Sequence, residues 1–214
     1  MLILLNEDFD TLDLYDGIVY NLVQDTINEL EISGGKNLIP FVSSNISNNK
    51  LIIRNENNCN FLRSLKKKIR VNIHYKDLSY INFKGSESLE SSNVIKTNSL
   101  RIRIRDNAGT VNLNVSVGYL ETSIITGYGD YNLSGSAQTA YLNCNSNGFC
   151  DARALTTSQN LIVRSNTQGN MYINADQVNL EATILQAGDI KYIGTPITKD
   201  VNISGEGQLI DLGD

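Results

Sequence analysis

Apolar and polar residues alternate in short runs along most of this chain, and from Leu100 onward the runs return on a fixed beat. Leu100, Ile102 and Ile104 are followed by Leu120, Thr122 and Ile124, then by Leu142 and Cys144. Leu161 and Val163, then Leu180, Ala182 and Ile184, then Val201 and Ile203 continue the series. A spacing of two puts these side chains on one face of a strand. After each run comes a glycine: Gly109, Gly129, Gly148, Gly169, Gly188 and Gly207 recur at intervals of 20, 19, 21, 19 and 19 residues. Two residues past the glycine lie Val111, Tyr131, Cys150, Met171, Ile190 and Leu209, and two further on Leu113, Leu133, Ala152, Ile173, Tyr192 and Asp211. Each period therefore predicts a strand, a glycine turn, a second strand and a second turn.

The second turns fall about half a period later, at Gly135-Ser136-Ala137, Thr156-Thr157-Ser158, Ala175-Asp176-Gln177 and Gly194-Thr195-Pro196. A period near twenty residues is one coil of a stacked repeat. The expected fold is all-β: a right-handed parallel β-helix of two facing sheets, the hand following the crossover rule. A glycine at the tight corner can take positive φ without steric cost, whereas a β-branched residue there could not. One solenoid domain over 1–214 is expected, with irregular strands and a cap over 1–65 and regular coils over 66–214. In the first part Phe9, Leu12 and Leu14, Gly17 to Val23, Leu30 and Ile32, and Leu51 to Ile53 read as strands. Asn37 to Asn45 is the one stretch that suits a short helix, which Pro40 weakens unless it lies in the first turn.

Composition changes this picture in two places. The chain has no Trp, five Phe and 28 Asn, which suits a thin repeated core and Asn ladders along its surface. Charge is segregated: residues 1–35 carry eight acidic and no basic side chains, whereas residues 50–105 carry thirteen Lys and Arg against four Asp and Glu. Arg63, Lys66, Lys67, Lys68 and Arg70 cluster inside that band. The net charge of −5 and the lack of a basic-aromatic motif argue against nucleic acid, and no apolar run is long enough to predict a membrane span. Cys59, Cys144 and Cys150 have no metal-ligand spacing. Cys144 and Cys150 take inward positions, and two accounts stay open for them: buried free thiols, or a disulfide across the glycine turn.

The glycine repeat, the stretch Asn58-Cys59-Asn60-Phe61-Leu62-Arg63-Ser64 and the ending Gly188-Asp189-Ile190 to Ile203-Ser204-Gly205-Glu206-Gly207 carry a likeness. On these the chain resembles the putative auto-transporter adhesin head domain family of the GIN-domain type, found mainly in Bacteroidetes. Family members show Gly-Ser-Gly at the coil turns; here the turns read Gly127-Tyr128-Gly129, Ser146-Asn147-Gly148, Thr167-Gln168-Gly169 and Gln186-Ala187-Gly188. The resemblance implies a two-sheeted β-helix, export to the cell surface or periplasm and an adhesive role. It carries no reaction and no cofactor. Met1 to Leu5 is too short for an export segment, so either such a segment has been removed or the location that the resemblance implies does not hold.

Arg101, Arg103 and Arg105 alternate with inward residues and so share one outer face, where three guanidiniums suit a carboxylate or sulfate partner. Arg70, His74 and Lys84 are expected on neighbouring coils and complete the candidate ligand-binding set. The competing account pairs this basic band with the acidic N-terminal segment or with a second subunit. His74 is the sole histidine, and a Ser-His-Asp relay would have to pass through it. Asp130, Asp151 and Asp189 follow the coil glycines and suggest paired acids for glycoside hydrolysis, although turn preference explains them too. No catalytic residue, cofactor or metal site is assigned. The leading expectation is a non-catalytic surface module for a polysaccharide or a cell-surface protein. The alternatives are a polysaccharide lyase or hydrolase, by fold analogy alone, and a structural subunit of a homo-oligomer.

Overall fold

A computed structural model describes residues 1–57, 68–106 and 109–213; the stretch 58–64 with Cys59 and Arg63, and the cluster members Lys66 and Lys67, lie outside them. The strands are β1 (Leu2–Leu4), β2 (Thr11–Leu14), β3 (Ile18–Gln24), β4 (Glu29–Ser33), β5 (Val42–Ser47), β6 (Lys50–Asn55), β7 (Ile69–Tyr75), β8 (Tyr80–Phe83) and β9 (Leu89–Ser91). They continue as β10 (Ile95–Ile104), β11 (Thr110–Ile124), β12 (Asp130–Ser146), β13 (Phe149–Thr167), β14 (Met171–Asn174), β15 (Asn179–Ile184), β16 (Ile190–Ile193), β17 (Thr198–Ile203) and β18 (Leu209–Asp211). Together they form a β-solenoid of about six turns with coils of roughly 20 residues.

One face stacks, all parallel, β6, β2, β8, β10 and the later halves of β11, β12 and β13, then β15 and β17. The other stacks β7, β3, β9 and the first halves of β11, β12 and β13, then β14, β16 and β18. Inward residues register coil upon coil, as Leu120 on Ala140, Leu161 and Leu180, and Val111 on Tyr131, Cys150 and Met171. They belong to one buried cluster running from Phe9 to Tyr192. Burying each Leu, Ile or Val of this kind contributes about 1.5–3 kcal/mol.

Chain order and spatial order differ at the N-terminal end. Strands β2 and β3 form a coil inserted between β6/β7 and β8/β9, so these early residues are an internal layer. The cap proper is antiparallel: β5 on β6, and β4 on β7 with β1 beyond it. The expected helix at Asn37 to Asn45 is instead a single 3-10 turn, Ile39–Phe41, with Pro40 near its start. After it the alternating Val42, Ser44 and Ile46 favour the β5 hairpin strand over helical continuation.

The recurring coil glycines keep ordinary backbone angles. Gly129, Gly148, Gly169, Gly188 and Gly207 do not adopt positive φ. Their lack of a side chain serves close stacking: a Cβ on Gly169 would lie 2.5 Å from the carbonyl oxygen of Gly148, and one on Gly207 2.4 Å from that of Gly188. Positive φ at the first corner falls on other residues, Asp106 (+48°), Gly127 (+105°) and Ser146 (+66°), and at the second corner on Gly135 (+99°) and Gly194 (+84°). There β11, β12 and β13 turn without losing their ladder, Val115 pairing with Gly135 and Gly135 with Leu155. Cys144 and Cys150 are buried free thiols, and burial pushes the Cys144 thiol up to about 12.

At the C-terminal end the solenoid is closed by side chains. Lys199 stands in register with the inward Leu180, and Asp211 with Tyr192. Tyr192 Oη donates to Asp211 Oδ2 at 2.9 Å, and Lys199 Nζ donates to Tyr192 Oη at 3.2 Å. Beside them Val201 and Ile203 are nearly half exposed. Inward charge on a terminal coil discourages another strand from adding to its edge. Replacing both polar groups, Lys199→Val with Asp211→Val, is expected to raise the solution mass above that of the native chain. Light scattering at equal concentration checks this; an unchanged mass would show that the charges do not guard the edge.

Candidate functional site

The segregated charges meet in the folded chain, because the acidic N-terminal strands lie between or beside the basic ones. Lys84 Nζ is 3.5 Å from Asp13 Oδ1 and donates to Tyr15 Oη at 3.2 Å, and Arg54 Nη2 donates to the same oxygen at 3.1 Å. Lys76 pairs with Asp8 at 2.7 Å, Lys68 with Glu87, and His74 Nδ1 sits 3.1 Å from Asp25 Oδ2. Such pairs at the surface contribute little to stability, because water screens them and long side chains must be ordered to form them.

The arginine row is partly committed within the chain. Arg101 and Glu121 are register partners on β10 and β11. Arg101 Nε donates to Glu121 Oε2 at 2.7 Å, and Arg103 Nη2 lies 2.5 Å from Glu121 Oε1. Arg103 Nη1 also donates to Ser123 Oγ at 2.7 Å. The Glu121 side chain is only 10% exposed although it stands on the outer face beside these two guanidiniums. Arg105 is exposed, its main-chain N–H donating to the Phe83 carbonyl. The six candidate residues do not assemble. Lys84 and the three arginines follow one stack of strands, whereas Arg70 and His74 lie on β7, which belongs to the other.

That other face carries a continuous polar column. Glu31, Asn72, Asn21, Glu90, Asn112, Asn132 and Asp151 are successive register partners from strand to strand. Side chains bond along it: Asn72 Nδ2 donates to Glu31 Oε2 at 2.9 Å, Asn21 Nδ2 to Asn72 Oδ1 at 3.2 Å and Asn132 Nδ2 to Asn112 Oδ1 at 2.7 Å. Neighbouring strands lie about 4.8 Å apart, so the column is an extended track of donors and acceptors. Along its later part opens a groove of about 500 Å³, lined by Asn112, Asn114, Asn132, Ser134, Asp151 and Arg153 among others. Arg153 Nε and Nη2 donate to Asp151 Oδ1 and Oδ2 at 3.0 and 2.5 Å, which holds the Asp151 carboxyl below its ordinary range. Tyr172, the next rung, is no free platform, because Arg153 and Lys191 stand over its ring at 5.0 and 5.7 Å.

A family model described as "Putative auto-transporter adhesin, head GIN domain" matches residues 8–196. The chain belongs to this family. Among solved structures, a putative adhesin from Bacteroides fragilis NCTC 9343 is 26% identical, with a TM-score of 0.86 over 99% of this chain and 97% of that one. A putative adhesin from Parabacteroides merdae ATCC 43184 is 22% identical, with a TM-score of 0.68 over 99% and 95% of the two chains. A protein titled a putative lipid binding protein, from Parabacteroides distasonis ATCC 8503, is 18% identical, with a TM-score of 0.70 over 99% and 96%. The last two show the fold alone. Among curated proteins nothing matches the chain.

In this GIN-domain chain two of the three aspartates considered for hydrolysis, Asp151 and Asp189, are engaged by neighbouring groups. Both oxygens of Asp151 are held by Arg153. Asp189 Oδ1 accepts the Gln208 N–H at 3.0 Å, and Oδ2 lies 3.6 Å from Lys191 Nζ. Burial pushes the Asp130 carboxyl upward. His74 presents Nε2 to Glu31 Oε2 at 3.9 Å rather than to a hydroxyl. Among the described residues no helix is long and apolar enough to cross a membrane. The candidate set drawn from the sequence does not include the groove residues Asn112, Asn132 and Arg153. The signal that marks the two asparagines is their shared phase, each lying one residue past an inward Val111 or Tyr131.

Proposed function

We propose that this chain is a non-catalytic, adhesin-like module of the cell surface or periplasm that binds a glycan strand along its carboxamide-lined face. The observation that carries this reading is the open groove over Asn112, Asn132 and Asp151. Carboxamides offer both donors and acceptors, matching sugar hydroxyls without demanding charge on the ligand. Parallel pairing fixes the rungs before any ligand arrives, so little ordering cost falls on binding. Family membership supports the adhesive role.

The test is retention of the purified chain on immobilised neutral and acidic glycans at low and moderate salt. Retention on neutral glycans that survives salt, and falls at least about fivefold in Asn112→Ala with Asn132→Ala, is the expected result, since truncating groups at a binding centre removes their hydrogen bonds. No retention on any neutral glycan would discard the groove as a sugar site and favour a protein partner.

A second reading is favoured by the exposure of Arg105 and of half of Arg101. In it the row Arg101, Arg103 and Arg105, next to Lys84, receives an acidic partner. Retention confined to acidic glycans and lost with salt distinguishes it, because screening weakens contacts between exposed charges.

A further inference from the structure

The sole imidazole of the chain is surrounded by carboxylates at the capped end, away from the groove. Strand β4 pairs antiparallel with β7, setting Glu29 opposite His74 and Glu31 opposite Asn72. Alternate residues of β4 thus bring both glutamates to the face that carries His74. One ligand atom from each of Glu29, Glu31 and His74 lies within 4.8 Å of the others, and Nε2 is 3.9 Å from Glu31 Oε2. A further carboxylate stands behind the ring. Asp25, in the β3–β4 connection, places Oδ2 3.1 Å from Nδ1 while its Oδ1 accepts the Thr26 N–H at 2.6 Å.

These surroundings leave negative charge unanswered. Among the described residues no Lys or Arg pairs with Asp25, Glu29 or Glu31, and Lys76 is taken by Asp8. A proton on His74 would still leave the three carboxylates in excess of it. With Asp25 accepting from Nδ1–H, the Nε2 lone pair faces the two glutamates. A carboxylate behind the ring, outside the donor set, is the outer partner that orients a metal-binding histidine. The Asn72 amide, donating to Glu31 Oε2 at 2.9 Å, fixes one glutamate in the same manner.

We propose that His74 Nε2 and one oxygen each of Glu29 and Glu31 form a site for a divalent first-row transition cation, with Zn²⁺ as its probe. The imidazole donor favours such an ion over Ca²⁺ or Mg²⁺, which prefer all-oxygen sets. Metal–ligand bonds of about 2.0–2.2 Å place neighbouring donors about 3.3 Å apart, so on binding His74 and Glu31 close in by about 0.6 Å and no donor pair by more than about 1.5 Å. The strand pairing holds the backbone while those side chains rotate. The inference does not depend on the groove reading, since the ion would be held at the cap.

The experiment is calorimetric titration of Zn²⁺, and separately of Ca²⁺, into the tag-free full chain after chelator treatment. The expected result is one saturable Zn²⁺ equivalent, weakened at least about tenfold in His74→Ala and in Glu29→Gln with Glu31→Gln, and no comparable Ca²⁺ binding. Asp25→Asn should weaken Zn²⁺ severalfold, acting through the ring. Circular dichroism confirms that each variant keeps its strands; the glutamine pair retains side-chain size and guards against misfolding in His74→Ala. Absence of a saturable equivalent, or native affinity in both His74→Ala and the glutamine pair, overturns the site.

Discussion

Gly188→Ala is expected to cost about 3 kcal/mol or more, the upper part of the range for forcing an added group into packed surroundings. Its Cβ would sit 2.1 Å from the carbonyl oxygen of Gly169 and 2.7 Å from that of Thr167, both main-chain atoms that cannot swing aside. Relief requires the two coils to separate, and separation lengthens the Gly188 N–H to Thr167 carbonyl bond, now 2.9 Å. The comparison is Gly35→Ala, whose Cβ would meet only the Leu38 side chain at 3.4 Å. That change should stay within about 1 kcal/mol of the native chain, since alanine reduces unfolded-state freedom where the backbone accepts it. Urea unfolding of both variants supplies the check. Equal midpoints would mean that close approach is not why glycine recurs on this beat.

Glu121→Ala is expected to act on stability and on binding together. Removing the carboxylate leaves Arg103, 23% exposed, without its ion pair, and releases Arg101, which is 51% exposed. Breaking a buried pair costs about 3–5 kcal/mol, but the solvent that reaches Arg101 lowers the expected loss to about 2 kcal/mol. The same change takes the carboxylate away from Arg101 and Arg103, which stand beside the already exposed Arg105. Retention on a sulfated polysaccharide should rise several-fold and fall again with salt, as contacts between exposed charges are screened. If Glu121→Ala binds such a column no better than the native chain, Glu121 is not what restrains the row.

Much of the repeat is legible in the sequence because it is local. Leu120, Thr122 and Ile124 alternate within one strand, and the same grammar one coil later lands on Ala140, Leu142 and Cys144 in parallel register. The reason for the glycines is not local. Gly169 keeps an ordinary φ, and its constraint comes from Gly148 on the adjacent coil. The candidate arginines share one stack of strands as their alternation predicts, yet Glu121, twenty residues away from Arg101, decides how free they are. The polar column is half visible, since Asn112 and Asn132 share a phase of the repeat. Asn21 and Asn72 belong to it only because β3 lies between β7 and β9.

Sequence alone dictates the coil, its length, its inward residues and the family resemblance, because a twenty-residue period imposes the same pairing on every repeat. The order of the first layers, the closure of both ends and the partners of the charges come from tertiary contacts. Those depend on which strands meet across long stretches of chain. Side-chain alternation specifies a face for each strand but does not name its neighbour. Hence Glu29, Glu31 and His74, more than forty residues apart along the chain at their widest, come together only when β4 folds back antiparallel on β7.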